Sequence, residues 1–317
     1  MPGPFRQAAS LRTAALTGVT MMAFAANSLL CRSALAVEKL DPWSFTSLRI
    51  LAGAAVLLLL TRVGASAPEV LDVETRSAGV ETGRPGPSSA VANERGSLRG
   101  AGALLVYAVA FSVAYRTLDA GAGALILFGT VQLSMLAAAW IEGDRPTPRV
   151  VLGFTMAVSG MVTLLWPAAT APDPMGAALM AVAGVGWGGY SLLGRGLTRP
   201  LRATAGNFLR AVPWVMVCWA AALGLGAAST PGTWTPRSVW LALASGGLAS
   251  GLGYALWYRT LREISTPSAA IAQLSVPGIA MLGGVWLLGE PLSMQATLAT
   301  LVTLSGIGLA TARSTSA

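Results

Sequence analysis

FAANSLLCR (residues 24–32) and WGGYSLLGR (187–195) are the stretches on which the reading of this chain turns. Each is an apolar run closed by Ser-Leu-Leu-x-Arg, and the two lie 163 residues apart. The parallel continues downstream in the same order. SLRILAG (47–53) faces FLRAVPW (208–214), which sets Leu48-Arg49 against Leu209-Arg210. FSVAYRTL (111–118) faces YALWYRTL (254–261), and QLSM (132–135) faces QLSV (273–276) with a small shift. GDRPT (143–147) resembles GEPLS (289–293). The offset shrinks to about 143 because the first half carries an insert at 64–97. Matches kept in order define an internal repeat.

The composition says what is repeated. Of 317 residues, 54% are hydrophobic and only 11% charged, with a mean hydropathy of +0.64. Soluble domains carry about 25% charge. Apolar runs cover 13–31, 43–61, 99–117, 120–141, 149–166, 175–194, 205–226, 237–257, 264–288 and 294–312. Each is near the roughly 20 residues that a helix needs to cross a bilayer. None alternates as barrel strands do, and in lipid the backbone must bond to itself, so each run reads as a helix. The expectation is an all-α integral membrane protein with ten transmembrane helices.

Basic residues set the orientation. With the N-terminus in the cytoplasm, sixteen of the 21 basic residues fall at cytoplasmic ends, as the positive-inside rule requires. The exceptions are Arg32, Lys39, Arg49, Arg116 and Arg237. Both termini would be cytoplasmic, in a bacterial inner membrane. The net charge of +8 then reflects topology, not a nucleic-acid surface. The start also resembles a secretory signal with Ala34-Leu35-Ala36 as cleavage site, but Arg32 interrupts the approach, and the segment matches an internal helix. Retention as helix 1 is expected.

Ten helices in a five-helix repeat have a geometric consequence. After an odd number of crossings the second unit begins on the opposite side, so two inverted repeats face each other. The expected units are 1–150 (helices 1–4, the insert 62–97 and the start of helix 5), a link at 151–172, and 173–317. Inverted repeats are common in secondary transporters, whose sites lie at the repeat interface near the midplane.

These residues also resemble a known family. Leu48-Arg49, Tyr115 with Leu118, Pro277 and LLGEPLS (287–293) are similar to the EamA-like family of the drug/metabolite transporter superfamily. The resemblance spans nearly the whole chain except 62–97. It implies a carrier of small metabolites such as amino acids, often exported. Asp144 stands where the family has Glu, and no proline in the first half matches Pro277.

The inventory of reactive groups excludes other chemistry. There is no His, and the two cysteines, Cys31 and Cys218, lack ligand spacing. No phosphate-binding Gly-x-x-x-x-Gly-Lys-Ser/Thr motif occurs. An enzyme, a bound metal and a cofactor are not expected; the partners are a small-molecule substrate and the bilayer, with the chain a monomer or homodimer. The acids lie in loops or at helix ends, with Asp119, Asp144 and Glu290 as candidates for coupling or gating. An acid-free pathway disfavours bare cations and suggests a neutral or zwitterionic cargo.

Candidate pathway residues are the polar and aromatic groups at membrane depth. Gln132 and Gln273 line the pathway or bond helix to helix. Pro277 would kink helix 9. Asn27 matches Tyr190 and Trp187 matches Phe24 across the repeat. Tyr107 and Tyr190 point to a cavity, as does Tyr254, while Trp257 and Tyr258 suit an interfacial belt. Arg49 and Arg210 either snorkel or bind a carboxylate, with Glu290, Asp119 or Asp144 as partners and Asn207 beside Arg210. Gly184-x-x-x-Gly188 and Gly247-x-x-x-Gly251 permit close helix packing or dimerisation. The insert reads as a linker too polar to form a core, or as a regulatory segment. Rival readings are a lipid-linked substrate flippase and a non-transporting scaffold or sensor.

Overall fold

The computed structural model describes residues 4–65, 95–143, 147–166, 171–194, 197–264, 269 and 272–311. Asp144, Arg195 and most of the insert lie outside them. Among the described residues the secondary structure is helical, without strands. The segments are α1 (Pro4–Arg32, continued by a π-helical turn Ser33–Val37) and α2 (Pro42–Ala65). Next come α3 (Leu98–Ala114), α4 (Ala120–Ile141) and α5 (Pro148–Leu165). The second half has α6 (Pro174–Leu193) and α7 (Pro200–Gly224). It continues with α8 (Pro236–Ala244, a π-helical stretch Ser245–Leu252, then Gly253–Glu263), α9 (Ser275–Leu288) and α10 (Met294–Thr311).

Local chemistry places several of these starts. Helices α5, α6, α7 and α8 each begin on proline, which lacks the N–H that a first turn leaves unbonded anyway. Thr147, Asp173 and Thr235 precede three of them and accept the amide three residues on. The expected start of the seventh helix at 205 therefore moves back to Pro200.

The lengths divide the helices. Seven are long and apolar enough to cross a membrane; α3, α9 and α10 are shorter apolar helices. At 1.5 Å per residue, the 14 residues of α9 reach about 21 Å, short of a hydrocarbon core of roughly 30 Å. Within the expected single helix over 264–288, residues 269 and 272–273 are helical, Leu274 is a turn, and α9 proper runs from Ser275. Pro277 is the third residue of α9, and the interruption at Leu274 coincides with the N–H that Pro277 lacks.

The exterior is apolar. Trp286, Leu287, Trp240, Leu225 and Val217 are all exposed, while Arg49, Asn27, Gln132 and Asn207 are buried. That is the reverse of a water-soluble surface and suits a lipid surround. The principal helix pairings are α5 with α10, α3 with α6, α2 with α7, α4 with α6 and α9, α1 with α8 and α9, α2 with α8, and α3 with α7. Glycines allow the closest approaches. A Cβ at Gly246 would run into the backbone carbonyl of Arg49, and one at Gly160 or Gly306 would meet the facing backbone of α10 or α5.

Candidate functional site

The polar interior begins with Arg49, about two turns into α2 and 1% exposed. Its Nη2 donates to the Tyr107 hydroxyl at 2.8 Å and to Ser250 Oγ at 3.5 Å. The guanidinium lies 5.1 Å from the Tyr107 ring centroid and 4.9 Å from that of Phe111, within range of cation–π attraction. Asn27 Nδ2 donates to the same Tyr107 hydroxyl at 3.3 Å, and Ser245 Oγ donates to Asn27 Oδ1 at 2.7 Å. Ser245 and Ser250 both belong to the π-helical stretch of α8. Such stretches are frequent at functional sites because they re-aim backbone and side chains.

Next to this cluster is a small chamber walled by Phe24, Phe128, Trp187 and Tyr254, with Asn27, Tyr107 and Ser250 as polar members. Its volume is about 20 Å³, room for one or two waters. Trp187 stacks on Tyr254 at 5.1 Å and on Tyr190 at 5.3 Å, and tilts against Tyr107 at 5.0 Å.

Polar clusters lie beyond the chamber in both directions along α3. At one end, Arg32 closes the gap between α1, the α3–α4 turn and the α9–α10 loop. Its Nε donates to Glu290 Oε1 at 3.0 Å and its Nη2 to Asp119 Oδ1 at 3.1 Å. Its Nη1 reaches the carbonyls of Tyr115 and Arg116. Glu290 also accepts the Ala120 amide. Burial pushes the Glu290 carboxyl above its ordinary range; the Ala120 amide pulls it back, nearby Asp119 adds to the rise, and Arg32 opposes it. The same end holds a cavity of about 290 Å³ bordered by Thr117, Asp119, Asp173 and Glu290. Asp41 ties the α1–α2 and α7–α8 loops there, accepting Ser44 and Trp43 amides and both the amide and hydroxyl of Ser229. Burial alone would raise its pKa, but the bonds from Ser229 and Ser44 hold it below the usual value.

At the opposite end, Tyr190 donates to Thr204 Oγ1 at 3.1 Å, and Thr204 meets the Tyr258 hydroxyl at 2.9 Å. Asn207 Nδ2 donates to Tyr190, while its Oδ1 accepts the Ser97 amide at 2.7 Å. Arg210 donates to the carbonyls of Arg95 and Gly206.

The structure brings Asn27, Arg49, Tyr107, Trp187 and Tyr254 together, with Tyr190 and Asn207 one layer beyond. Gln132 and Gln273 meet each other, Nε2 to Oε1, at 3.4 Å. Pro277 is buried in α9 and does not border the chamber. Two expectations are corrected. The acids Glu290 and Asp119 pair with Arg32, not with Arg49 or Arg210, because α1 ends beside them. Tyr258 spends its hydroxyl on Thr204, and Trp257 packs on Phe24 at 5.8 Å, so both have partners inside the bundle. Sequence reasoning did not single out Ser245, Ser250, Thr204 or Phe111; Arg32 was visible only as the end of the repeated pentapeptide.

A bundle with an apolar exterior and a closed polar interior is the arrangement of a multi-pass membrane protein. The EamA-like transporter family matches residues 174–312, and the chain belongs to that family. An uncharacterized protein of Pseudomonas aeruginosa is 44% identical over 301 residues, 94% of each chain. A solved crystal structure, titled only as that of a protein, superposes with a TM-score of 0.60 at 20% identity, covering 94% of this chain and 97% of that one. It shows the fold alone. The family is one of membrane transporters, not enzymes.

Proposed function

We propose that this protein is a secondary carrier that moves a small neutral or zwitterionic organic metabolite by alternating access. In this reading all ten helices cross the bacterial inner membrane as two inverted five-helix repeats, with both termini cytoplasmic. The helix pairings support it. Exchanging each helix for the one five positions away turns α1–α8 into α6–α3, α1–α9 into α6–α4 and α2–α8 into α7–α3, all of which occur. It leaves α2–α7, α4–α9 and α5–α10 unchanged. The Gln132–Gln273 pair joins positions matched by the repeat. The Arg32 end is then periplasmic and the Tyr190 end cytoplasmic. By family resemblance the cargo is an amino acid or a related compound moving outward.

One observation carries the proposal: polar clusters contributed by different helices meet opposite ends of α3, at Ser97 and at Tyr115, with the chamber residue Tyr107 between them, and in this reading the two clusters are its seals. Opening either cluster alone would expose the chamber to one side, which is what alternating access requires. Substrate flux into proteoliposomes across a metabolite panel, with and without a pH gradient, tests it. Saturable flux of at least one metabolite is expected. No flux of any, or proton-driven flux of bulky organic cations, would overturn it. Deletion of 66–94 should leave flux intact if its polar composition makes it a linker, and abolish function if the chain is a scaffold that works through it.

A further inference from the structure

We infer that the chamber recognises its cargo by a carboxylate, and that Arg49 is the residue that binds it. The inference rests on the carrier reading above and names the group that the site selects.

Start from the charge. Arg49 is buried beneath the chamber wall, and among the described residues no carboxylate lies within ion-pair distance of it. The acids among the described residues sit in loops or at helix ends, where Arg32 already takes Glu290 and Asp119. A buried cation without a counter-ion is unfavourable by several kcal/mol. The face of Tyr107 and Phe111 offsets part of this, but a ring quadrupole is a weak substitute for a charge.

Now count donors. Arg49 Nη1 is buried and has no hydrogen-bond partner. The Tyr107 oxygen already accepts from Arg49 and from Asn27, so its own proton remains to be donated. Asn27 Oδ1, the acceptor nearest to hand, is taken by Ser245. The cluster therefore offers one net positive charge and at least two unclaimed donors, Arg49 Nη1 and the Tyr107 hydroxyl. A ligand that satisfies it is an anion with two acceptor oxygens close together. A carboxylate has that form, and arginine grips it through two parallel N–H bonds. The 20 Å³ chamber is too small to hold one now, so the carboxylate would enter when a seal opens.

The same accounting says what is not recognised. No acid borders the chamber to hold an ammonium group. A simple monocarboxylate and an amino acid would share the Arg49 contact, and an amine lacking the carboxyl would not. Purified full-length protein in detergent tests this by thermal shift, backed by Trp fluorescence. The probes are matched triplets of graded size that keep one side chain, such as 4-methylpentanoate, leucine and 3-methylbutylamine. At least one carboxylate should stabilise the protein while its amine counterpart does not. Whether the monocarboxylate or the amino acid binds more tightly identifies the source. Arg49→Gln should weaken binding at least tenfold, Arg49→Lys less, and Tyr107→Phe by a smaller factor still, which separates a contact from general misfolding. Binding of the amines as strong as that of the acids, no response to any carboxylate, or full affinity in a folded Arg49→Gln protein would each overturn the inference. Saturable flux of an uncharged solute would then leave the carrier reading standing; absence of all flux would remove both.

Discussion

Arg32 and Glu290 stand 258 positions apart and meet at 3.0 Å, joining the end of α1 to the loop after α9. Residue 31, next door, is a cysteine with no exposed surface. That neighbour makes the pair measurable. If Arg32 and Glu290 hold this end shut, Glu290→Gln should raise the labelling rate of Cys31 by a membrane-impermeant thiol reagent several-fold, in a Cys218→Ser background. Labelling as slow as in the parent would show that the seal lies elsewhere.

The pair should also answer to pH. Burial lifts the Glu290 carboxyl despite the Ala120 amide and Arg32. The folded protein therefore holds this proton more tightly than the unfolded chain does. As pH falls through the window between the ordinary glutamate value and the raised one, Glu290 protonates in the folded protein first, and its contribution to stability rises. The same step removes the charge that faces Arg32. Because only the thiolate reacts, the readout is the ratio of wild-type Cys31 labelling to that of Glu290→Gln at each pH. That ratio should be low near neutrality and rise toward one on acidification, starting above pH of about 4.3. A ratio that stays unchanged down to the ordinary glutamate value would contradict the assignment.

Much of the helical layout was legible in the sequence because each cause is local. Apolar runs, prolines at first turns and capping Thr147, Asp173 and Thr235 all act over a few residues. Gln132 and Gln273, matched in the internal repeat of the sequence, meet at 3.4 Å. Which arginine would find the acids was not legible. Arg32, Arg49 and Arg210 look alike locally, and only the long-range packing of α1 beside the α9–α10 loop separates them. The π-helical SGGLASGL stretch was hidden for a similar reason: its glycines permit many geometries, and the approach of the Arg49 carbonyl to Gly246 selects one. Tyr258 was misread because an amphipathic ring near a helix end suits an interface and a buried hydroxyl network equally well.

Gln132 and Gln273 provide a third expectation. Their amides bond across α4 and the segment before α9, so each single leucine substitution leaves the other amide short of a partner. Removing both leaves none. The double substitution should therefore destabilise less than the two singles together, with a coupling of roughly 0.6–1.7 kcal/mol. Counterflow in the folded variants separates glue from pathway: loss with intact folding would place the pair on the route of the cargo. Strict additivity of the stability changes would mean that the 3.4 Å contact has no energetic weight.

The last expectation tests how α2 is seated. A Cβ at Gly246 would strike the carbonyl carbon, oxygen and Cα of Arg49, which are backbone atoms and have nowhere to go. Gly246→Ala should push α2 away from α8 at the level of Arg49, destabilising the protein by about 1–3 kcal/mol and weakening whatever binds there. Gly189, by contrast, has nothing within 4 Å of its added Cβ and sits inside α6. Gly189→Ala should be neutral or stabilise by up to about 1 kcal/mol, because alanine favours the helix. Thermal unfolding of the two variants side by side checks both. If Gly246→Ala unfolds no earlier than Gly189→Ala, the close seating of Arg49 on the π-helical stretch does not hold, and the geometry argued for its guanidinium goes with it.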